Sequence, residues 1–349
     1  MCNRSCFSIF VFISLGTLTF SQATYELISL GTLGGQSSYA SAVNNQGQVV
    51  GGSLDSEGNL CAFYWDPVNG MRQIEGGAET GPCEACQINN SGLATVSNGS
   101  AMWLWDCVNG LREAISGGFL PSDMNDSGQI AGVTQKQRRA AWWSPVNQPA
   151  YVSHLNPNTL IGSANGINNQ GQIIGEINYR WPVVWQHPYN SPTYLALLGP
   201  SGNCVSINDQ GLCAGYSLVE GTNERHVILW DLDDYSMRDL GALGTSSLAT
   251  CINEAGQVTG YDSKMEHAFL WTEESGMVDL NDLLNPTGFG WIVSSAWEIN
   301  NYGLIAATAI DPDGYEQAVL LRPVPEPSMA ALLFIAGCML RKRKGPSPL

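Results

Sequence analysis

Val43-Asn44-Asn45-Gln46-Gly47-Gln48-Val49-Val50-Gly51 is an aliphatic residue, Asn, a variable pair, Gly, and a short apolar run closed by Gly. The pattern returns at Ile88-Asn89, Met124-Asn125, Ile167-Asn168, Ile207-Asn208, Ile252-Asn253 and Ile299-Asn300. The leading Asn residues lie 45, 36, 43, 40, 45 and 47 positions apart. A repeat of roughly 40 residues belongs to propellers, solenoids and arrays rather than to an ordinary globular enzyme.

Each copy holds material for four strands. In the copy around Asn253, residues 248–252 form a short strand rich in small side chains. Asn253-Glu254-Ala255-Gly256 turns it: Asn caps the turn and Gly supplies a positive φ. Residues 257–261 return, 267–271 make a third strand, and 277–280 a fourth, with Gly-containing turns between. Gly is abundant at 39, charged residues are only 13%, and no long amphipathic helix is legible between the two ends.

The third strand carries a Trp in register: Trp65, Trp105, Trp143, Trp185, Trp230 and Trp271, with Leu321 in the seventh copy. One large side chain per unit is expected to fill the space between neighbouring sheets. Trp103, Trp142, Trp181, Trp291 and Trp297 break register and are the better candidates for exposed contact. The first strands are poor in bulk, as in Ala40-Ser41-Ala42, Ala164-Asn165-Gly166 and Ala249-Thr250-Cys251, which suits a crowded central channel and not a linear solenoid.

The seventh copy stops at Pro323 without a fourth strand. The missing piece lies at the other end, where residues 25–34 match the fourth-strand segment 237–244. The reading is therefore an all-β fold, a seven-bladed β-propeller spanning 24–322. The N-terminal strand completes the last blade and hides the sheet edges.

These units resemble the HAF repeat of extracellular bacterial proteins. His267-Ala268-Phe269-Leu270-Trp271 carries the tripeptide, and residues 30–35 and 167–175 match the other elements. Copies two and seven depart from it: Leu93 and Leu304 replace Gln, and Val96 and Ala307 replace the closing Gly. The resemblance implies an exported repeat protein and supplies no catalytic residues.

The two ends read as targeting segments. Arg4 precedes a mostly apolar stretch, residues 7–20, and a small residue at Ala23, so residues 1–23 are expected to be a signal peptide cleaved at Ala23. At the other end Pro325-Glu326-Pro327 is followed by an apolar run, residues 329–340, and by Arg341-Lys342-Arg343-Lys344. As a helix that run reaches roughly 18 Å, short of the roughly 30 Å hydrocarbon core. The basic cluster would hold the end on the cytoplasmic side. Residues 323–349 resemble the PEP-CTERM sorting signal of exported bacterial proteins. The resemblance implies an exosortase as processing partner, transient inner-membrane association through a short transmembrane helix, and final residence at the cell surface or outside the cell.

Between these ends, residues 24–322 keep 10 of the 15 basic residues and 30 of the 31 acidic ones, a net charge of −20. Such a surface repels nucleic acid. Seven cysteines fall in this span: Cys61, Cys83, Cys86, Cys107, Cys204, Cys213 and Cys251. Cys204 and Cys213 flank one repeat turn and are candidates for a disulfide across the hairpin. Cys83 and Cys86 have redox or zinc spacing but no companion pair.

No cofactor is called for, calcium excepted. Asp311, Asp313 and Glu316 occupy a turn that could offer oxygen ligands to calcium, though Asp and Gly also simply make good turns. The sequence has no nucleophile elbow, no phosphate-cradling Gly loop with Lys, and no His-Glu-x-x-His. The histidines His226 and His267 fall at equivalent repeat positions. Asp123, Glu298 and Glu84 sit on first strands and could reach the channel, where paired carboxylates would suit a glycosidase.

The expected function is that of a non-catalytic exported propeller in the cell envelope or extracellular matrix, binding a polysaccharide or an envelope protein. The alternatives are a secreted carbohydrate-active enzyme, hydrolase or lyase, and a purely structural surface or biofilm component.

Overall fold

The computed structural model describes residues 24–324 apart from 76–82, 100, 116–117, 146–152, 155–160 and 188–189. Signal peptide, cleavage point at Ala23, and the sorting residues Pro325, Glu326, Pro327, Arg341, Lys342, Arg343 and Lys344 lie outside the described residues. Among the described residues no helix is long and apolar enough to cross a membrane.

Seven four-stranded antiparallel sheets follow one another along the chain. Six are built in simple order, inner to outer. The seventh combines Ile292–Ile299, Ile305–Ile310 and Glu316–Val324 with the N-terminal strand Thr24–Ser29, in that order. Leu27 pairs with Leu321, and Thr24 with Val324, so the last strand runs two residues beyond the expected end at 322. An ion pair between Arg322 and Glu26 lies across this seam. The N-terminal strand also bonds onward: Asn285 N donates to the Tyr25 carbonyl, and Leu27 N to Thr287 Oγ1. The expected ring closure is thus the one observed.

The register Trp residues pack as the spacing predicts. Each pairs with the fifth residue after the motif Asn: Trp65 with Val49, Trp105 with Ala94, Trp143 with Ile130, Trp185 with Ile173, Trp230 with Cys213 and Trp271 with Val258; Leu321 likewise pairs with Ile305. All seven are buried. Trp142, expected to be more exposed, is buried too, because it joins the inter-sheet cluster of blade four with Ile167, Val183 and Trp185. Trp181 and Trp297 are exposed, 40% and 39%.

Two glycine positions of the motif are fixed by backbone. The turn Gly, from Gly47 to Gly303, has φ between +73° and +81° in every copy, a region that a Cβ penalises. The closing Gly lies against the inner strand. A Cβ on Gly51, Gly132, Gly175, Gly215 or Gly260 would stand 2.0–2.1 Å from an inner-strand carbonyl oxygen. Those carbonyls are pushed out by a β-bulge that recurs in all seven inner strands, between the fourth and second residues before the motif Asn. Where Ala307 replaces Gly in the seventh copy, the inner strand carries a second register shift at Val293/Ser295.

Candidate functional site

The bulge decides what lines the channel. An extra residue re-aims its neighbours, and here one or both of the residues two and three before each motif Asn turn inward, both in blades three, five, six and seven. Ser41, Gln87, Ser122, Asp123, Asn165, Val205, Ser206, Thr250, Cys251, Trp297 and Glu298 border one cavity of ≈ 220 Å³. Asp123, Ser206, Cys251 and Glu298 also border a second cavity of ≈ 140 Å³ toward the motif turns. These four form the waist of the channel.

At the waist the bulge leaves inner-strand N–H groups without a ladder partner, and the preceding blade supplies one. Val43 N donates to Glu298 Oε2 at 3.0 Å, Ile167 N to Asp123 Oδ2 at 2.9 Å, and Ile252 N to Ser206 Oγ at 3.2 Å. Burial pushes the Asp123 carboxyl up to about 6, against the pull of the Ile167 and Met124 N–H groups. Glu298 is pushed up to about 8, first by burial and then by the charge of Asp123. Burial, with Glu298 next in weight, lifts the Cys251 thiol to about 12. Among the described residues, no basic side chain borders either cavity.

The mouth on the motif side is closed by two rings of hydrogen bonds. Each motif Asn uses its side-chain oxygen within its own turn; Asn168 Oδ1 accepts from Gln170 N and Gln172 N. Its amide nitrogen crosses to the next blade. Asn44 donates to the Asn89 carbonyl, Asn89 to Asn125, Asn125 to Asn168, Asn168 to Asn208, Asn208 to Asn253, Asn253 to Asn300, and Asn300 back to Asn44, all at 2.9–3.1 Å. The next residue repeats the device. The N–H of Asn45, Asn90, Asp126, Asn169, Asp209, Glu254 and Asn301 each donates to the side chain of its counterpart one blade on, closing at Asn45. The expectation of a turn cap for the motif Asn was right but incomplete: half of the side chain is a latch between blades.

The opposite mouth, on the side of the loops that join blades, has no such uniformity. The residue eight after the motif Asn is Gly52, Ser97, Val133, Glu176, Tyr216, Tyr261 and Thr308 in blades one to seven. Tyr261 tilts against Trp297 of the next blade, with ring centroids 5.8 Å apart. Trp297 Nε1 donates to Thr308 Oγ1 at 3.1 Å. Arg225 lies over the Tyr216 ring at 5.7 Å. Burial raises the Glu176 carboxyl, and with Glu176 it raises the Tyr216 phenol. In blade one the Tyr39 ring fills the space left by Gly52, where a Cβ would stand 2.5 Å from it, and its hydroxyl meets Glu84 Oε2 at 2.5 Å. Trp297 thus joins an aromatic arc at the mouth to the cavity beneath it.

The other sequence candidates are placed as follows. Asp123 and Glu298 do reach the channel, whereas Glu84 stays at the loop-side mouth with Tyr39. Asp311 Oδ1 accepts from Asp313 N and Tyr315 N, capping its own turn; Asp313 and Glu316 are exposed there. Among the described residues no group of three or more His, Cys, Asp or Glu is gathered as a metal site. Cys204 and Cys213 are buried neighbours, their thiols hydrogen-bonded to each other and unbridged. In the register Cys204 pairs with Gly215 and Cys213 with Ile207, so the two are diagonal rather than directly opposed. Cys83 and Cys86 are free as well. His226 and His267 meet Asp239 at 2.9 Å and Asp279 at 2.6 Å, tying third strand to fourth in adjacent blades. Tyr216 and Tyr261 went unnoticed in the sequence; their only signal was an aromatic side chain at a motif-relative position where the other copies hold Gly, Ser, Val, Glu or Thr.

No protein-family model and no curated protein matches the chain. Solved structures do, and all of those named here share its fold. The chain is a seven-bladed β-propeller. It is similar to streptogramin B lyase, with TM-score 0.59 and 10% identity over 86% of this chain and 98% of that one. It is similar to virginiamycin B lyase from Staphylococcus aureus, with TM-score 0.61 and 8% identity over 86% and 100%. Oligogalacturonate lyase in complex with manganese gives TM-score 0.54 and 11% identity over 87% and 97%. At such identities the likeness is one of architecture, which does not carry activity.

Proposed function

We propose that the protein is an exported, non-catalytic propeller of the cell envelope or extracellular matrix that holds a polysaccharide or protein partner at the loop-side mouth of its channel. One observation carries this reading. The polar groups that recur in every blade are consumed by the two rings at the motif-side mouth, while the irregular aromatic side chains Tyr39, Tyr216, Tyr261 and Trp297 collect at the loop-side mouth with Glu84 and Glu176. Binding residues concentrate on irregular connections held by a rigid scaffold. The roles of Asp123 and Glu298 as acceptors for Ile167 N and Val43 N support a structural task for these acids.

Export is part of the proposal. It rests on the resemblance of residues 323–349 to a PEP-CTERM signal and of residues 1–23 to a signal peptide. An exosortase would act at Pro325 to Pro327, and the processed protein would reside at the cell surface or beyond.

A second reading keeps one observation of its own. Two carboxyls share the waist, one displaced to about 6 and the other to about 8. Acids pushed apart in this way are the raw material of general acid–base chemistry. Incubating residues 24–324 with a polysaccharide panel separates the two readings. Retention of the protein with the glycan intact is the expected result. A shortened glycan would replace binding with a hydrolase or lyase activity.

A further inference from the structure

We propose that the loop-side mouth is a subsite for the terminal sugar of a neutral glycan, with Trp297 and Tyr261 as its stacking platform and the cavity beneath as the socket for the sugar's hydroxyls. This rests on the binding reading above and names its ligand class.

The platform comes first. Trp297 is 39% exposed although it stands on an inner strand, because the blade-seven bulge turns it toward the mouth. Its indole N–H is satisfied by Thr308 and its ring is braced by Tyr261, so orientation is set before any ligand arrives. An aromatic ring of fixed orientation presents an apolar face at little entropic cost on binding. The ligand that matches an apolar face next to a polar hollow is one with an apolar face and polar edges, and a pyranose has both.

The socket comes second. Beneath Trp297 the cavity is bordered by Ser41, Gln87, Ser122, Asn165 and Thr250, neutral groups able to donate and accept. Gln87, Asn165 and Thr250 already donate to protein oxygens, so what the lining offers a ligand is chiefly acceptor oxygens and the Ser41 and Ser122 hydroxyls, which match the donor hydroxyls of a sugar. The cavity's volume, ≈ 220 Å³, lies below the roughly 300–1,000 Å³ of pockets for drug-sized ligands. It suits one sugar unit rather than a chain segment. Below it the channel meets the waist and then the ring of motif Asn residues, so a polymer would enter by its end.

Charge settles the class. Among the described residues two carboxyls and no basic side chain border the cavity, and the whole chain carries a net charge of −16. An anionic sugar in the cavity would meet repulsion, because the one basic group placed at this mouth, Arg225, lies over the Tyr216 ring and not in the lining. A cationic one would find only the two waist carboxyls, and Glu298 is held largely protonated at neutral pH by its burial and by Asp123. The neutral sugar is the ligand that the lining satisfies without a charge left over.

The test titrates residues 24–324 with cellohexaose, mannohexaose and xylohexaose, with hexagalacturonate as anionic probe and a chitosan hexamer as cationic probe, following tryptophan fluorescence and calorimetric heat. At least one neutral hexamer is expected to bind. Trp297→Ala should weaken it at least tenfold, Trp297→Phe less than threefold, and Trp181→Ala, at an exposed Trp outside the cavity lining, not at all. The Phe variant keeps a stacking ring, so it guards against mistaking a folding defect for a lost contact. Neutral binding untouched by Trp297→Ala would remove this site while leaving the binding reading in place. Tighter binding of hexagalacturonate or the chitosan hexamer would overturn the neutral class. No binding of any hexamer would overturn this inference and take the polysaccharide from the proposed function, leaving the protein partner.

Discussion

At the motif-side mouth, seven Asn side chains repeat one bond around the channel; at the loop-side mouth, the seven equivalent second-strand positions hold Gly52, Ser97, Val133, Glu176, Tyr216, Tyr261 and Thr308. Both mouths are cut from the same repeats, so the contrast lies in what each must do. The motif turn is where neighbouring blades have to be tied, and an amide is well suited: its oxygen caps the turn and its nitrogen reaches the next carbonyl. Any other residue leaves buried backbone groups unpaired in two blades. The loop-side mouth closes no ring. Its side chains answer to packing against one neighbour and to whatever enters the channel, and they diverge.

The largest effect should come from the seam that all seven blades depend on. Deleting residues 24–34 removes the strand that covers Glu316–Val324 and leaves an open edge. Calorimetry of the truncated protein should show a broad, non-cooperative melt or none. A single sharp transition at the parent temperature would mean that closure by this strand is dispensable.

Next come the latches. Asn168 is buried and makes bonds to Gln170 N, Gln172 N, Gln172 Oε1 and the Asn208 carbonyl. Asn168→Ala should cost about 3 kcal/mol, since each stranded buried group costs roughly 1–3 kcal/mol and part is recovered by water. Tyr261→Ala at the other mouth should cost about 1–2 kcal/mol, because its ring is only half-buried. Urea denaturation of both variants measures the pair. Equal costs, or the reverse order, would dissolve the distinction between a structural and a variable mouth.

That distinction also explains what could be read from the chain. Period, Trp register, blade boundaries and the N-terminal closing strand were legible because each is a repeated local requirement: a positive φ at Gly256, a bulky side chain at Trp271, a strand pattern at residues 25–34. The inter-blade role of Asn168 was not, since its partner carbonyl lies 40 residues away and no local rule points to it. Nor was the bulge. It leaves only a small residue before the motif and a closing Gly after it, signs that read equally well as an ordinary strand. Trp142 was misjudged as more exposed because register fixes the face of a strand but not the sheet packed against it. The mouth was least legible of all. Tyr216 and Tyr261 share a repeat position that the other five blades fill differently, and Trp297 has no aromatic counterpart in any other inner strand.

The waist lies between the two mouths, and pH should expose it. Glu298 is raised from an ordinary 4.5 to about 8, and Asp123 from 3.8 to about 6. A carboxyl whose folded value is raised contributes stability below its unfolded value and loses it as pH climbs through the folded one. Stability should therefore fall from about pH 4 to about pH 8. Asp262 runs the opposite way. Burial would raise it, but N–H groups of Lys264, Met265 and Ser246 and the Ser247 hydroxyl hold it at about 2, so its contribution is lost as pH falls below 4. The full difference for Glu298 would approach ~5 kcal/mol at about 1.4 kcal/mol per tenfold. Glu298 is only half-buried by its exposed area, and solvent screening cuts the contribution to on the order of 2 kcal/mol. Glu298→Gln should flatten the fall between pH 5 and 8, and a parallel curve for the variant would show that Glu298 is not its source.

The smallest effect tests whether a loop-side turn can carry weight at all. Asp311 caps its turn through Asp313 N and Tyr315 N and makes no bond to another blade, in contrast with Asn168. Asp311→Ala should cost about 0.5–1 kcal/mol, the worth of an exposed cap. Asp311→Asn keeps the acceptor and should cost less than about 0.3 kcal/mol. Thermal melts with and without calcium decide between a turn cap and the cation site that Asp311, Asp313 and Glu316 suggested. A cap makes the Asn variant indistinguishable from the parent in both. A rise in the parent's Tm with calcium that the Asn variant lacks would make this turn a binding element, and the loop side would then hold two sites, one at the mouth and one at the rim of blade seven.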